Sequence, residues 1–202
     1  MIIDPFAFMR THIEKLSPMT DSDFTRLRAH FQPRTLKRGE HLYRQGVPCE
    51  TVGFILSGCV RSYHVREDGS EHILYFAREE WWVADLQSFW EGSDSRFNLQ
   101  ALERCRMLVS SKPQFEGLVA TNASYGAFYR AKVGRAYSAA SMKVVVERTE
   151  TAEERYRQLV AANEWIVDRV PLHHLASFLG IRPQSLSRIR AKCKEESTEK
   201  LT

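Results

Sequence analysis

A chain of 202 residues, 43% hydrophobic and 27% charged, is ordinary globular material, long enough for one large or two small domains. No stretch approaches the roughly 18 unbroken apolar residues that a membrane helix needs, and MIIDPFAFMRTHIEKL lacks the basic start and small-residue cleavage site of a signal peptide. A formal net charge of +4 does not by itself identify a nucleic-acid partner. Cys49, Cys59, Cys105 and Cys193 share no metal-ligand spacing, so the expectation is a cytoplasmic protein with buried, reduced thiols and no metal site.

From about Met19 to Ser111, short apolar runs alternate with turn signals. TVGFILSGCVRSYHV, EDGSE and HILYF follow one another, punctuated by Gly39, Gly46, Gly53, Gly58 and Gly69. Asp68-Gly69 between two alternating runs marks a hairpin. Evenly spaced strands with few helical stretches between them predict an antiparallel sandwich or barrel.

The pattern changes at about Pro113. ASYGAFYRAKVGRAYSAASMKVVVERTE reads as one long helix. Tyr125, Tyr129, Val133, Ala136, Ala140 and Val144 recur at steps of three and four, which predicts a single apolar stripe. Alanines and Gly134 beside it permit a close partner helix. A parallel homodimer through this segment is favoured over an intramolecular core helix.

Beyond about Thr151 the chain reads as short helices. TAEERYRQLVAAN opens with Thr151 and Glu154 at capping-box spacing, and EWIVDR follows. LHHLASFLGIRPQSLSRIR, from Leu172 to Arg190, then meets the requirements of a helix-turn-helix. Ala176 is small where the two helices touch, and Gly180 can take positive φ in the turn. Leu175, Leu179, Ile181, Leu186 and Ile189 fall inward, while Pro171 and Pro183 suit the first turns of the two helices. The second helix turns Gln184, Ser185, Ser187, Arg188 and Lys192 outward. Glutamine and arginine pair with adenine and guanine edges, and serines suit phosphates. Arg182, Arg188, Arg190, Lys192 and Lys194 lie together without an acidic residue from Arg182 to Lys194, as phosphate contact requires. Double-stranded DNA carrying an inverted repeat is the expected partner.

Taken together, GEHLYRQGVPCETVGFILSGCVRSYHVREDGSEHILYF and the order of barrel, long helix and helix-turn-helix resemble the Crp/Fnr superfamily over nearly the whole chain. The resemblance implies an α+β fold: a cyclic nucleotide-binding-like β-roll (jelly-roll-like) effector domain over 1–112, a dimerisation helix over 113–150, and a winged-helix DNA-binding domain over 151–202. The C-terminal wing is expected to be missing or truncated. The resemblance also adds RNA polymerase as a candidate partner.

In ligand-binding relatives a glycine-glutamate pair meets the ribose and an arginine pairs the cyclic phosphate. Here WWVADLQSFWEGSDSRFNLQALE places Ala84 and Asp85 at the pair and Ser95 at the arginine position. Arg96 is one residue further on, which on a strand means the opposite face. Usual cyclic AMP binding is therefore not expected, and any effector would be another small molecule. Trp81, Trp82, Phe89, Trp90 and Phe97 would either line its site or, the favoured reading, simply fill the roll.

Two rival functions are weighed. A cupin-like enzyme needs an H-x-H pair, which His41, His64 and His72 do not make, and His173-His174 stand on a helix with rings expected to point apart. A protein–protein binding module would use the C-terminal helices for packing alone. Neither explains the basic, amide-bearing face, so no enzymatic activity is expected.

Overall fold

The computed structural model describes residues 4–199; the side chains of residues 194 and 197–199 lie outside that description, so the expectation for Lys194 is not developed further. The chain is α+β, as expected. Two helices come first, α1 (Pro5–Glu14) and α2 (Asp21–Ala29). The Asp4 carboxylate accepts the Phe6 N–H at 3.0 Å, and the Thr20 hydroxyl accepts the Asp23 N–H at 3.1 Å. These caps correct the expectation that strands begin near Met19. Thr20-Asp21-Ser22-Asp23 supplies a cap followed by acids in a first turn, which favours helix. The first strand starts at Gln32.

Eight strands follow: β1 (Gln32–Leu36), β2 (His41–Tyr43), β3 (Thr51–Ser57), β4 (Val60–Val65), β5 (Glu71–Ala77), β6 (Trp82–Val83), β7 (Asn98–Ala101) and β8 (Cys105–Ser111), with α3 (Leu86–Glu91) between β6 and β7. They form two four-stranded sheets ordered β1-β8-β3-β6 and β2-β7-β4-β5, antiparallel throughout. Leu42, Ile55, Val60, Leu99 and Met107 pack between them. The Asp68-Gly69 hairpin joins β4 to β5, with Gly69 at φ +81°.

Helix α4 (Lys112–Thr121) leads into α5 (Ala123–Thr149), the long helix read from the sequence. The Asn122 side chain caps α5 by accepting the Tyr125 N–H at 3.0 Å. The expected single stripe is divided. Tyr125 is fully buried within the chain, in a cluster with Phe31, Phe54, Phe115 and Phe128, and Tyr129 is half-buried with its hydroxyl accepting the Trp90 indole N–H at 2.8 Å. Val133 is half-buried, whereas Ala136, Ala140 and Val144 are exposed. The start of α5 therefore serves the roll, because an aromatic stripe next to an open sheet face is buried there first.

Four more helices complete the described residues: α6 (Ala152–Ala162), α7 (Trp165–Arg169), α8 (Leu172–Leu179) and α9 (Pro183–Glu199). The Thr151–Glu154 capping box at the start of α6 is present in both directions. Among the described residues no strand follows α9.

At the turn from β3 to β4 the backbone passes close to Cys105. Gly58 has φ +107°, and a β-carbon there would lie 2.6 Å from Cys105 Sγ, 2.7 Å from Cys105 Cα and 2.8 Å from Arg104 O. Strained φ and overpacking each cost on the order of 1–3 kcal/mol. Gly58→Ala is expected to lower unfolding stability by about 3 kcal/mol, measured by urea denaturation, whereas Gly69→Ala, with open space around it, should cost only its backbone strain.

Candidate nucleic-acid interface and roll interior

Helix α8 ends as the sequence requires. Gly180 has φ +68°; its N–H donates to Ser177 O at 3.1 Å, and the Ile181 N–H donates to Ala176 O at 3.0 Å. This paired closure uses up the carbonyls that a helix end leaves open, and it swings the chain sharply into α9. Ala176 and Leu175 are fully buried, with Leu179 and Leu186 beside them, while Ile181 and Ile189 are half-buried. Pro183 is the first residue of α9, and Pro171 stands at the cap of α8 rather than within its first turn.

Arg182, Gln184, Ser185, Ser187, Arg188 and Lys192 are exposed, and Arg190 is half-buried. Three of them already have partners: Ser187 donates to the Pro183 carbonyl at 3.1 Å, Lys192 pairs with Glu153 at 2.9 Å, and Arg190 bonds the Tyr156 hydroxyl. Glu153 also pairs with Arg157, which reaches Glu196 at 2.6 Å. Among the described residues Arg182 and Arg188 make no ion pair, so they meet an incoming anion without first giving up a carboxylate.

The six residues expected around an effector do not form one site. Asp85 and Ser95 are buried together: the Asp85 carboxylate caps α3 through the Ser88 N–H and lies 2.7 Å from the Ser95 hydroxyl. Phe97 and Ala84 are half-buried nearby. Trp82 packs instead between β3 and α5, its ring 4.9 Å from Phe54 and 5.6 Å from Phe128. Arg96 is exposed and contributes only its backbone carbonyl, to His64. Trp81 and Trp90 also stand on the surface, and Phe89 fills the core. Inside the roll, the Tyr43 and Tyr75 hydroxyls lie 3.5 Å apart, and burial pushes both phenols above their usual range. The Ser62 hydroxyl is buried beside both tyrosines.

Sequence reasoning missed the surface that joins the roll to α7 and α8. Arg61, on the outer face of β4, is almost fully buried. It donates to Gln100 at 2.9 Å, to both oxygens of Glu71, and to His174 Nδ1 at 3.1 Å, and stacks over Tyr63 at 4.1 Å. Arg169, on α7, pairs with both oxygens of Glu79, at 2.9 and 3.0 Å, and with Glu103. The Ser177 hydroxyl donates to Glu71 O at 2.8 Å and accepts the Ile73 N–H at 3.3 Å. The signal available was the alternation Arg61-Ser62-Tyr63, which puts an arginine and an aromatic on what would otherwise be a solvated face. The rings of His173 and His174 do not point apart: their centroids are 4.0 Å from each other, because His174 turns back toward Arg61.

With this geometry in place, the chain can be compared with known proteins. Residues 33–122 match the family model of the cyclic nucleotide-binding domain. The fold of the chain as a whole is similar to that of solved transcription regulators. The c-di-GMP responsive global regulator CLP of Xanthomonas campestris is 17% identical, with a TM-score of 0.69 over 88% of this chain and 93% of that one. FixK2 of Bradyrhizobium japonicum is 16% identical, with a TM-score of 0.70 over 83% of this chain and 86% of that one. A regulator of the crp/fnr family from Eubacterium rectale is 11% identical, with a TM-score of 0.67 over 88% and 85%. No curated protein sequence matches the chain. No described helix is long and apolar enough to cross a membrane.

His174 makes the docked arrangement pH-dependent. Burial, then the neighbouring Arg61 charge, lowers its pKa from 6.5 to about 4. The folded chain thus holds this ring neutral, whereas the unfolded chain takes up a proton below 6.5, so stability falls as pH drops from about 6.5 and levels off below 4. Burial also lowers His12, His41 and His72, so the part due to His174 is a difference between variants. His174→Gln is expected to remove on the order of 2 kcal/mol of the loss between pH 7 and pH 4, read as the change in urea midpoint against the parent chain.

Proposed function

We propose that this chain is a cytoplasmic, dimeric, sequence-specific DNA-binding regulator of transcription without enzymatic activity. The observation that carries this reading is the exposed face of α9, where Gln184, Ser185 and Arg188 project from a helix set by the Gly180 turn. The regulator fold supports it. Arg188 suits a guanine and Gln184 an adenine, with Ser185, Ser187, Arg182, Arg190 and Lys192 toward phosphates.

The dimer reading rests on the far half of α5. Val133, Tyr137, Ala140 and Val144 follow steps of four, three and four and fall within about 60° of one direction on the helix. Tyr137 is 75% exposed and Val144 49%. A 27-residue helix whose second half holds such side chains in water gains by pairing with a second copy. Two recognition helices related by a two-fold axis would read an inverted repeat.

The roll is proposed to sense a small molecule other than a cyclic nucleotide, through Asp85, Ser95 and the tyrosines around Ser62. A cyclic phosphate placed there would meet the buried Asp85 carboxylate, while Arg96 faces outward. An unpaired buried anion costs several kcal/mol.

Two measurements test these assignments. Tyr137→Glu should convert a sedimenting dimer to monomer without lowering the melting temperature of the roll, and a wild-type monomer at micromolar concentration would sink the dimer. On a duplex enriched by the protein from a random pool, Arg188→Ala should cost about 1–3 kcal/mol and relax preference at one base pair, while Arg182→Ala should weaken all duplexes alike and lower the salt slope by about one. Lys192→Ala should do less than Arg182→Ala, because Lys192 must first leave Glu153.

A further inference from the structure

We propose that the docking of α7 and α8 onto the outer face of β4 and β5 fixes the aim of the recognition helix, and that Arg61 and Arg169 are positioning residues setting the spacing at which two half-sites are read. The proposal rests on the DNA-binding reading above.

Helix α6 begins at Ala152, after Glu150 (φ −112°, ψ 146°) and Thr151 (φ −69°, ψ 160°), so two extended residues separate the long helix from the reading unit. Such a link is short but leaves rotation free about its own bonds. The dock removes that freedom at two separate places. At one, His174 and Ser177 of α8 meet Arg61, the Glu71 carbonyl and the Ile73 N–H. At the other, Arg169 of α7 is clamped between Glu79 and Glu103, and Glu79 in turn accepts the Gly58 N–H at 2.7 Å. Two anchors define an orientation where one would define only a pivot. Between them Phe178 lies against Phe76 with ring centroids 5.6 Å apart, and Lys143 of α5 donates to Leu74 O while lying 4.7 Å over the Phe178 ring. The dock thus ties α8 to the roll and to the long helix at once.

The dock does not cover the reading surface. Its contacts use the sides of α7 and α8, and Gln184, Ser185, Ser187 and Arg188 stay exposed. The arrangement is therefore one that aims the recognition helix, not one that hides it. In a two-fold dimer any swing of the reading unit moves both recognition helices oppositely, so orientation and half-site spacing are one quantity.

The test uses the full chain, a duplex it enriches from a random pool, and versions of that duplex with one or two base pairs added or removed at the centre. Wild-type protein should lose on the order of tenfold in affinity per altered base pair, and Arg169→Ala or the milder Glu103→Gln should shrink that penalty to within about threefold, with Arg169→Lys partly restoring it. Without DNA, Arg169→Ala and Ser177→Ala should speed hydrogen exchange of the Ile73 amide by about tenfold or more while the amides of β3 and β8 keep their protection. An unchanged spacing penalty in the Arg169 and Glu103 variants overturns the proposal and leaves the DNA-binding reading intact. Tighter binding by Arg169→Ala at every spacing also overturns it, because the dock would then be inhibitory. If wild-type protein enriches no duplex, the DNA-binding reading fails and takes the proposal with it.

Discussion

Strands β4 and β5 carry large side chains on both of their faces, and neither face can be left to water. Val60 and Ala77 point into the roll, while Tyr63, Ile73 and Phe76 point away from it into a second cluster with Leu175, Ala176 and Leu179. A shift of register between Ser62 and Tyr63 makes this possible: Tyr75 pairs with Ser62 and Ile73 with Tyr63, leaving Leu74 as an extra residue. The bulge lets both Ile73 and Phe76 face outward although strict alternation would separate them. β5 is also the edge of its sheet, and Ser177 and Lys143 bond its Glu71, Ile73 and Leu74 backbone groups. An open apolar edge is a site for unwanted pairing, and here α8 and Lys143 of α5 close it. Arg61 belongs to the same solution. Burying a guanidinium is costly, and the cost is offset by a two-pronged carboxylate, an amide, an imidazole lone pair and an aromatic face.

Helix α5 also has two unlike halves, the first packed on the other sheet through Val52, Phe54 and Leu108. Its first turns complete an aromatic cluster that also draws on α1, α2 and α4, where Tyr125 and Phe128 meet Met9, Leu27 and Phe115. Its later turns leave the roll and carry Tyr137, Met142, Val144 and Val145 in the open. Helix formation alone is neutral to this division, because alanine-rich segments propagate whichever side is buried.

Local chemistry was readable from the sequence and long-range placement was not. The Asp68-Gly69 hairpin, the Thr151 capping box and the Gly180 turn each depend on residues within five positions of one another, and each is present. Helices α1 and α2 escaped notice because each spans under three turns, ten and nine residues, although Asp4 and Thr20 were legible as caps. The stripe on α5 was read as one surface because periodicity reports which side chains share a face and not what covers each turn. Arg61, Arg169 and His174 were passed over for a similar reason: they are separated by as many as 113 residues and acquire a role only when β4, α7 and α8 are brought together. The one-residue ambiguity at Ser95 and Arg96 was a question of register, and the fold answers it with one side chain buried and the other exposed.

That register has a chemical consequence for what the roll can hold. Ser95 is within hydrogen-bond distance of Asp85, accepts the Phe97 N–H at 3.1 Å, and so closes a small loop of bonds that an arginine there would open. Asp85 in turn is committed to the first turn of α3, whose far end carries Trp90 and its bond to Tyr129 of α5. Any molecule that drew the Asp85 carboxylate away from Ser88 and Ser95 would remove the cap of α3, a change worth on the order of 1 kcal/mol. It would be felt at Tyr129, where the buried half of α5 gives way to the exposed half. A neutral ligand with hydrogen-bond donors could compete for Asp85 in this way. An anion could not, because it would be repelled by the very group that holds α3 in place.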